Sequence, residues 1–185
     1  MATTETLDVI SRRYSCRAYS DKAVPADVLD AIMTAGLHSP SAMNRQPWRL
    51  IAVSDPAVLG QIDEVGMAYA KEHDPAAYDR MMGRGGTLTY KAPVVVVIAG
   101  QELESQWSPD LDCGIVASHL VVAAASLGVD SCIVAMTRPA FQDRALCRQI
   151  GMPDGFRFVL SVLLGYAAGE PQPGHAIDQS KAIIV

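Results

Sequence analysis

A chain of 185 residues, half of them apolar and 19% charged, suits one compact domain, residues 1–185, with a sizeable core and a few polar excursions. Its formal net charge of −5 lacks the basic excess of a phosphate-backbone binder, so no nucleic acid is expected and small molecules or protein are the expected partners. No run of about 20 uncharged apolar residues occurs, and the opening "MATTETLDVISRR" has no apolar signal core, so the expectation is a cytoplasmic protein with no membrane partner.

In chain order, Thr3 or Thr4 can cap a first helix carrying Leu7 and Ile10, which ends in "SRRYSCRAY". Pro25 opens a second helix, with Val28, Leu29, Ile32 and Met33 at helical spacing, before the chain reaches Gly36. The polar loop "SPSAMNRQP" then leads into a strand near 48–53. Asp55-Pro56 starts a third helix through Leu59, Ile62 and Val65. After it, "HDPAAYDRMMGRGGTLTYKAP" is polar, glycine-rich and irregular, a candidate lid over 73–92 with "GRGG" as its hinge. The strand "VVVVIA" (94–99) follows, and then a helix at about 110–127 that is apolar on nearly every face, with Gly128 suited to its end. A third strand near 131–135, a helix opened by Pro139 and ended by Gly151, a fourth strand "FVLSVLLGY" and a terminal "AIIV" complete the series. Unbroken apolar strands imply a sheet covered on both faces. The all-round apolar helix implies a large two-fold interface.

The familiar phosphate and nucleophile signatures are absent: no G-x-G-x-x-G follows a strand, and neither G-x-x-x-x-G-K-[ST] nor G-x-S-x-G occurs. Cys16, Cys113, Cys132 and Cys147 form no C-x-x-C pair and lie far apart, which points to buried thiols and to neither a zinc site nor a disulfide framework. His119 stands near Asp110 and Asp112 at spacings that make no ligand set, so a satisfied structural histidine is expected and no metal site.

Two stretches stand out. In "RRYSCRAY", Arg12, Arg13 and Arg17 with Ser15 between them concentrate guanidinium forks and a hydroxyl in an otherwise acidic chain. Such groups bind phosphate oxygens, although a solvated basic helix end complementing the macrodipole would look the same. In "SPSAMNRQPWRL", Ser41, Asn44, Arg45 and Gln46 stand at the mouth of a strand behind Pro47-Trp48, more donors than a turn needs unless the aromatic is merely an anchor for an ordinary loop.

Taken together, the two stretches resemble the FMN-dependent nitroreductase family, whose members carry an R-[RH]-S-x-[RK]-x-[FY] type segment followed by P-S-x-x-N-x-Q-P-W. The second pattern matches at Pro40, Ser41, Asn44, Gln46, Pro47 and Trp48, and the first at Arg13, Ser15, Arg17 and Tyr19, with Tyr14 in place of the usual basic residue. The likeness continues through "KAPVVVVIAG", "DCGIVASHLVVAAASLGVDSCIV" and "LLGYAAGEPQP". It implies an α+β three-layer fold, a central mixed or antiparallel sheet flanked by helices, in an intertwined homodimer with FMN at the subunit interface. By that resemblance Arg13, Ser15 and Arg17, with Tyr14 through its backbone, take the FMN phosphate and ribityl chain. Pro40, Ser41, Asn44 and Gln46 reach the flavin from the other subunit, and Ala135, Met136 and Thr137 present backbone groups to its N5 and O4 edge. The family's C-terminal phosphate contact falls near His175, with Lys181 later. The implied activity is hydride transfer from NAD(P)H through FMN to a nitroaromatic or quinone. A specialised dehalogenase or flavin-fragmenting relative and a non-enzymatic FMN store or sensor are the alternatives. No side chain is expected to act as nucleophile or obligatory acid, and no catalytic residue is assigned.

Overall fold

The computed structural model describes residues 4–102, 108–170 and 176–184. Among the described residues, five of the six α-helices begin where a short polar side chain accepts from a free N–H, and the remaining one begins behind a proline. Thr4 caps α1 (Glu5–Arg12) through Leu7 N–H at 3.4 Å. Asp55 caps α3 (Pro56–His73) through Ala57 N–H at 2.8 Å, with proline at the first helical position. Pro25 precedes α2 (Ala26–Leu37), and Gly36 lies inside that helix, where a Cβ would stand 2.6 Å from Leu120. The glycine there serves close helix packing and does not end the element.

Two expectations are corrected. The stretch after α3 is not irregular: Asp74 accepts from Ala77 N–H at 2.9 Å and Pro75 opens a further helix, α4 (Pro75–Met82). Asp-Pro followed by two alanines is the same start signal as at 55–56, and it outweighs the glycines, which act only from Gly83 onward. Beyond them, Asp63 holds the chain down by accepting from Leu88 N–H (2.8 Å), Thr89 N–H (3.1 Å) and the Thr89 hydroxyl (2.9 Å), and Leu88 is fully buried. Any mobile part of 73–92 is therefore α4 and the turn at 83–86. The helix expected from Pro139 to Gly151 is two pieces, a 3-10 turn over Arg138–Gln142 and α6 (Arg144–Gln149). Asp143 divides them because its extended backbone and its carboxylate, accepting from Ala145 and Leu146 N–H, make it a helix cap. The terminal run over 182–184 forms no strand in this chain.

The four strands are β1 (Trp48–Val53), β2 (Val94–Gln101), β3 (Asp130–Val134) and β4 (Phe156–Gly165). They pair in the order β1-β2-β4-β3, antiparallel throughout. Alternation along β2 divides the core in two: Val95, Val97 and Ala99 join a cluster with Ile62, Leu88, Phe141 and Leu163, whereas Val94, Val96 and Ile98 join one with Ile32, Val116, Leu120 and Leu164. Helices thus cover both faces, α3 and α6 on one side and α2 with α5 (Pro109–Ser126) on the other. The result is three layers of an α+β fold. Among the described residues, no helix is long and apolar enough to cross a membrane.

Helix α5 turns Cys113, Val116, Ala117, Leu120, Val121 and Ala124 inward. Its other side leaves Leu111 77% and Ile115 37% exposed. The neighbouring α1 leaves Leu7 and Ile10 half exposed as well. An 18-residue helix with apolar side chains on its outward side presents a face that a lone chain does not bury.

Candidate functional site

The cationic segment leaves α1 in extended conformation beside the edge strand β3. Ser15 forms a parallel bridge with Ser131, and Cys16 N–H donates to Ser131 O at 2.9 Å. Extended backbone alternates its side chains, which sorts this stretch by parity. Cys16 belongs to the core and Tyr14 packs against it, while Tyr19, beyond the alternating stretch, enters the core beside its own bridge to Ala167. Arg13, Ser15 and Arg17 are left on the other side, all three within electrostatic reach of the Cys132 thiol, which burial pushes up while Arg17, Ser15 and Arg13 pull it down. Burial and then the nearby Asp130 carboxylate raise the Tyr14 phenol, so this side chain stays neutral.

Among the described residues, Arg13 and Arg17 pair with no carboxylate; the ion pairs are Arg157–Asp110 at 2.7 Å and Lys181–Asp178 at 3.8 Å. Arg13 lines a cavity of about 270 Å³ together with Arg12, Tyr14, Asp130 and Ser131. The hydroxyls of Tyr14 and Ser131 are buried there without a hydrogen-bond partner. Two cations without counter-ions beside an orphaned buried hydroxyl fit an oxyanion. Ser131 is a group that the one-dimensional pattern does not reveal, because its proximity to Arg13 comes from the bridge to Ser15.

The second stretch stands at the opposite edge, on the approach to β1. A 3-10 turn over Ala42–Asn44 is followed by Arg45, and Met43, Asn44 and Gln46 have φ of 52°, 53° and 49°. Left-handed backbone at non-glycine residues costs about 1 kcal/mol or more apiece and persists where its surroundings enforce it. Here Gln46 N–H donates to Ser41 Oγ (2.9 Å), Gln46 Nε2 donates to Asn44 Oδ1 (2.9 Å), and Ala42 N–H donates to Asp112 Oδ1 on α5 (3.2 Å). Pro47 and Trp48 are buried behind this clasp and fix its base, while Pro40, Asn44 and Gln46 are exposed.

Ala135, Met136 and Thr137 form the turn after β3. The Thr137 side chain is fully buried and its hydroxyl lies 3.0 Å from Ser161 Oγ, so it pins the turn to β4 and leaves backbone for a ligand. The carbonyls of Ala135 and Thr137 already accept from the N–H groups of Arg138 and Ala140.

The cationic segment and this turn share the β3 edge, about 13 Å apart along the strand at the usual rise per residue. The polar loop does not join them. Arg12 donates to Ala125 O at one end of α5, and Ala42 is tied to Asp112 near the other. Thirteen helical residues, about 20 Å, separate those anchors. One chain therefore presents the two polar stretches on different edges.

His175 lies outside the described residues, and Lys181 pairs with Asp178 on an exposed turn. His119 is half-buried with Nδ1 3.0 Å from Ile115 O, a satisfied structural histidine. Among the described residues no group of side chains could hold a metal ion, and the four cysteines are free and buried.

Comparison with known proteins matches residues 10–166 to the nitroreductase family model. Two similar solved structures are nitroreductases with bound FMN. The one from Desulfitobacterium hafniense DCB-2 is 36% identical, covers 100% of both chains and has a TM-score of 0.91. The one from Bacteroides fragilis NCTC 9343 is 30% identical over 99% of this chain and 100% of that one, with a TM-score of 0.85. A relative from Archaeoglobus fulgidus, described as an NADH dehydrogenase/NAD(P)H nitroreductase, is 28% identical over 95% of this chain and 92% of its own.

Proposed function

The chain belongs to the nitroreductase family, and we propose from that premise that it is a cytoplasmic FMN-dependent oxidoreductase. It transfers a hydride from NADH or NADPH, through FMN, to an electron-poor small molecule such as a nitroaromatic or quinone. The relatives crystallised with FMN support the cofactor. The observation within this chain that carries it is the β3 edge, where Arg13 and Arg17, without counter-ions among the described residues, stand beside a buried Ser131 hydroxyl that has no partner among them.

FMN supplies the two-electron chemistry when bound, and the protein supplies binding and orientation. Arg13 and Arg17 hold the phosphate in charge-assisted hydrogen bonds, Ser15 adds its hydroxyl, and Tyr14 contributes backbone. The turn at Ala135, Met136 and Thr137 orients the ring edge through its N–H groups. His175 or Lys181 supplies a further phosphate contact. The whole of 1–185 acts as one FMN-binding domain.

The remaining contacts come from a second copy. A polar loop about 20 Å away along α5 cannot close over the same ligand in one chain, but two chains packed on the uncovered apolar faces of α1 and α5 bring the β1-edge loop of one to the β3 edge of the other. Pro40, Ser41, Asn44 and Gln46 then meet the heteroaromatic ring, which accounts for the density of polar groups in that loop. Reduced coenzyme and acceptor occupy the exposed ring face in turn, so the chain needs no dinucleotide fingerprint. Within 73–92, α4 and its glycine turn form the part that moves over this face.

Anaerobic addition of NADH or NADPH to the yellow protein tests the proposal. Rapid bleaching followed by recovery of colour with a quinone is expected; persistent yellow colour with both coenzymes would make the protein a flavin store or sensor instead.

A further inference from the structure

The largest concentration of arginine outside the β3 edge lines a cavity of about 240 Å³ at the start of β4. Arg138, Arg144 and Arg157 stand around it with Glu102 the one carboxylate among its described lining residues, and because Asp110 neutralises Arg157 the local excess is one positive charge in a chain whose net charge is −5. Its floor is aromatic: Phe158 stacks on Phe141 with centroids 4.8 Å apart, and Phe156 adds a third ring to the wall. Arg157 is committed to Asp110 at 2.7 Å. Arg138 lies 5.8 Å over the Phe158 ring and donates to Val159 O at 3.4 Å, which uses one nitrogen of its fork. Arg144 has no hydrogen-bond or ion-pair partner among the described residues.

The position of this cavity matters as much as its charge. Arg138 directly follows the turn at Ala135–Thr137, and Thr137 is bonded to Ser161. The wall residues Phe156 to Phe158 precede Ser161 on the same strand by three to five positions, about 10 to 16 Å. A volume of 240 Å³ falls below the roughly 300–1,000 Å³ of whole-ligand sites, so the cavity accepts one end of a longer molecule. Planar guanidinium forks match phosphate oxygens, and the aromatic wall suits apolar contact with a base.

We propose that this cavity receives the 2′-phosphorylated adenosine end of NADPH, so that Arg138 and Arg144 make the enzyme prefer NADPH over NADH. The assignment rests on the oxidoreductase function proposed above and adds the choice of coenzyme, for which the chain carries no Rossmann-type ribose-reading residue.

The test compares holoenzyme with Arg144→Gln and with the Arg138→Gln/Arg144→Gln pair. The wild type should show the higher kcat/KM with NADPH, and the NADPH-to-NADH ratio should fall roughly tenfold in the single variant and further in the pair, as loss of charge-assisted contacts implies. Arg144→Gln removes no interaction within the described fold, so it remains informative if the pair is unstable. Calorimetric titration with 2′,5′-ADP reads the cavity without turnover: binding to wild type, weakened tenfold or more in the variants, is expected, with 5′-AMP binding weakly to all. If neither coenzyme bleaches the flavin, the oxidoreductase proposal fails, and the titration still decides the cavity. A wild-type preference for NADH, a ratio unmoved by both variants, or 2′,5′-ADP competing with the acceptor and not with NADPH would each overturn the assignment.

Discussion

The two edges of the sheet present polar groups outward by opposite backbone devices. At the β3 edge an extended segment needs no strain, because alternation alone sends Arg13, Ser15 and Arg17 one way and Cys16 the other. At the β1 edge Met43, Asn44 and Gln46 sit in left-handed conformation, and the loop exists because Ser41, Asn44 and Asp112 clasp it. One edge derives its order from the sheet beside it, the other from its own side chains. Substitutions should therefore act differently at the two: at the β3 edge they remove a ligand contact from an intact frame, and at the β1 edge they loosen the frame itself.

The largest effect should come from separating the edges of two chains. Replacing both Leu111 and Ile115 by Asp puts carboxylates on the exposed apolar side of α5 without touching either half-site. Sedimentation equilibrium should show the mass drop from a dimer to the 19.7 kDa chain, with absorbance at flavin wavelengths lost in step. A monomer that stays yellow would place the whole site in one chain.

Next in size is the phosphate contact. Arg13→Ala or Arg17→Ala should weaken FMN binding by about 1.5–3 kcal/mol, about 10- to 150-fold, measured by fluorescence quenching as free FMN is taken up. Tyr14→Phe sharpens the parity argument, since it deletes a buried hydroxyl that has no partner. Its FMN affinity should match wild type and its melting temperature should not fall; a loss as large as that of the arginines would mean that the phenol faces the ligand.

Smaller effects should mark the clasped loop. Ser41→Ala leaves Gln46 N–H without its acceptor and should cost about 0.5–1.5 kcal/mol, spread between stability and a few-fold faster FMN release in stopped-flow dilution. Equal losses of affinity from Ser41→Ala and Arg13→Ala would erase the distinction between the two edges.

The smallest effect on FMN belongs to α4. Tyr78, Met81 and Met82 replaced together by Ala should shift the ratio of quinone to nitroaromatic turnover while FMN affinity stays within experimental error, because the segment carries none of the proposed cofactor contacts. Steady-state assays on both acceptors check this, and an unchanged ratio would reduce α4 to a surface helix.

Much of this was legible in one dimension, because local signals act within a few residues. Asp55-Pro56 marks its helix, continuous valine marks the buried β2, and all-round apolarity marks α5. Local signals conflict over 73–92, where the "GRGG" breakers stand beyond the Asp74 cap, and over 139–151, where Asp143 divides an otherwise helical pattern. In both places a single carboxylate accepting from N–H groups two or three residues ahead decided the outcome, a signal easily lost among breakers of equal strength.

The amino-acid order by itself carried the two motifs whose family resemblance underlies the proposed flavin contacts, since motif spacing is a property of the chain alone. It determined also that the sheet is covered twice, because unbroken apolar strands allow nothing else. Only the tertiary structure decided that Ser131 joins Arg13, that Tyr14 packs against the core while lining the same cavity, that Asp112 holds the polar loop, and that the two polar stretches stand on different edges. These depend on hydrogen bonds or contacts between positions far apart in the chain, 70 residues for Ala42 and Asp112 and 116 for Ser15 and Ser131. Such pairings arise when distant segments compete for the same buried edge, and no local periodicity records which of them wins.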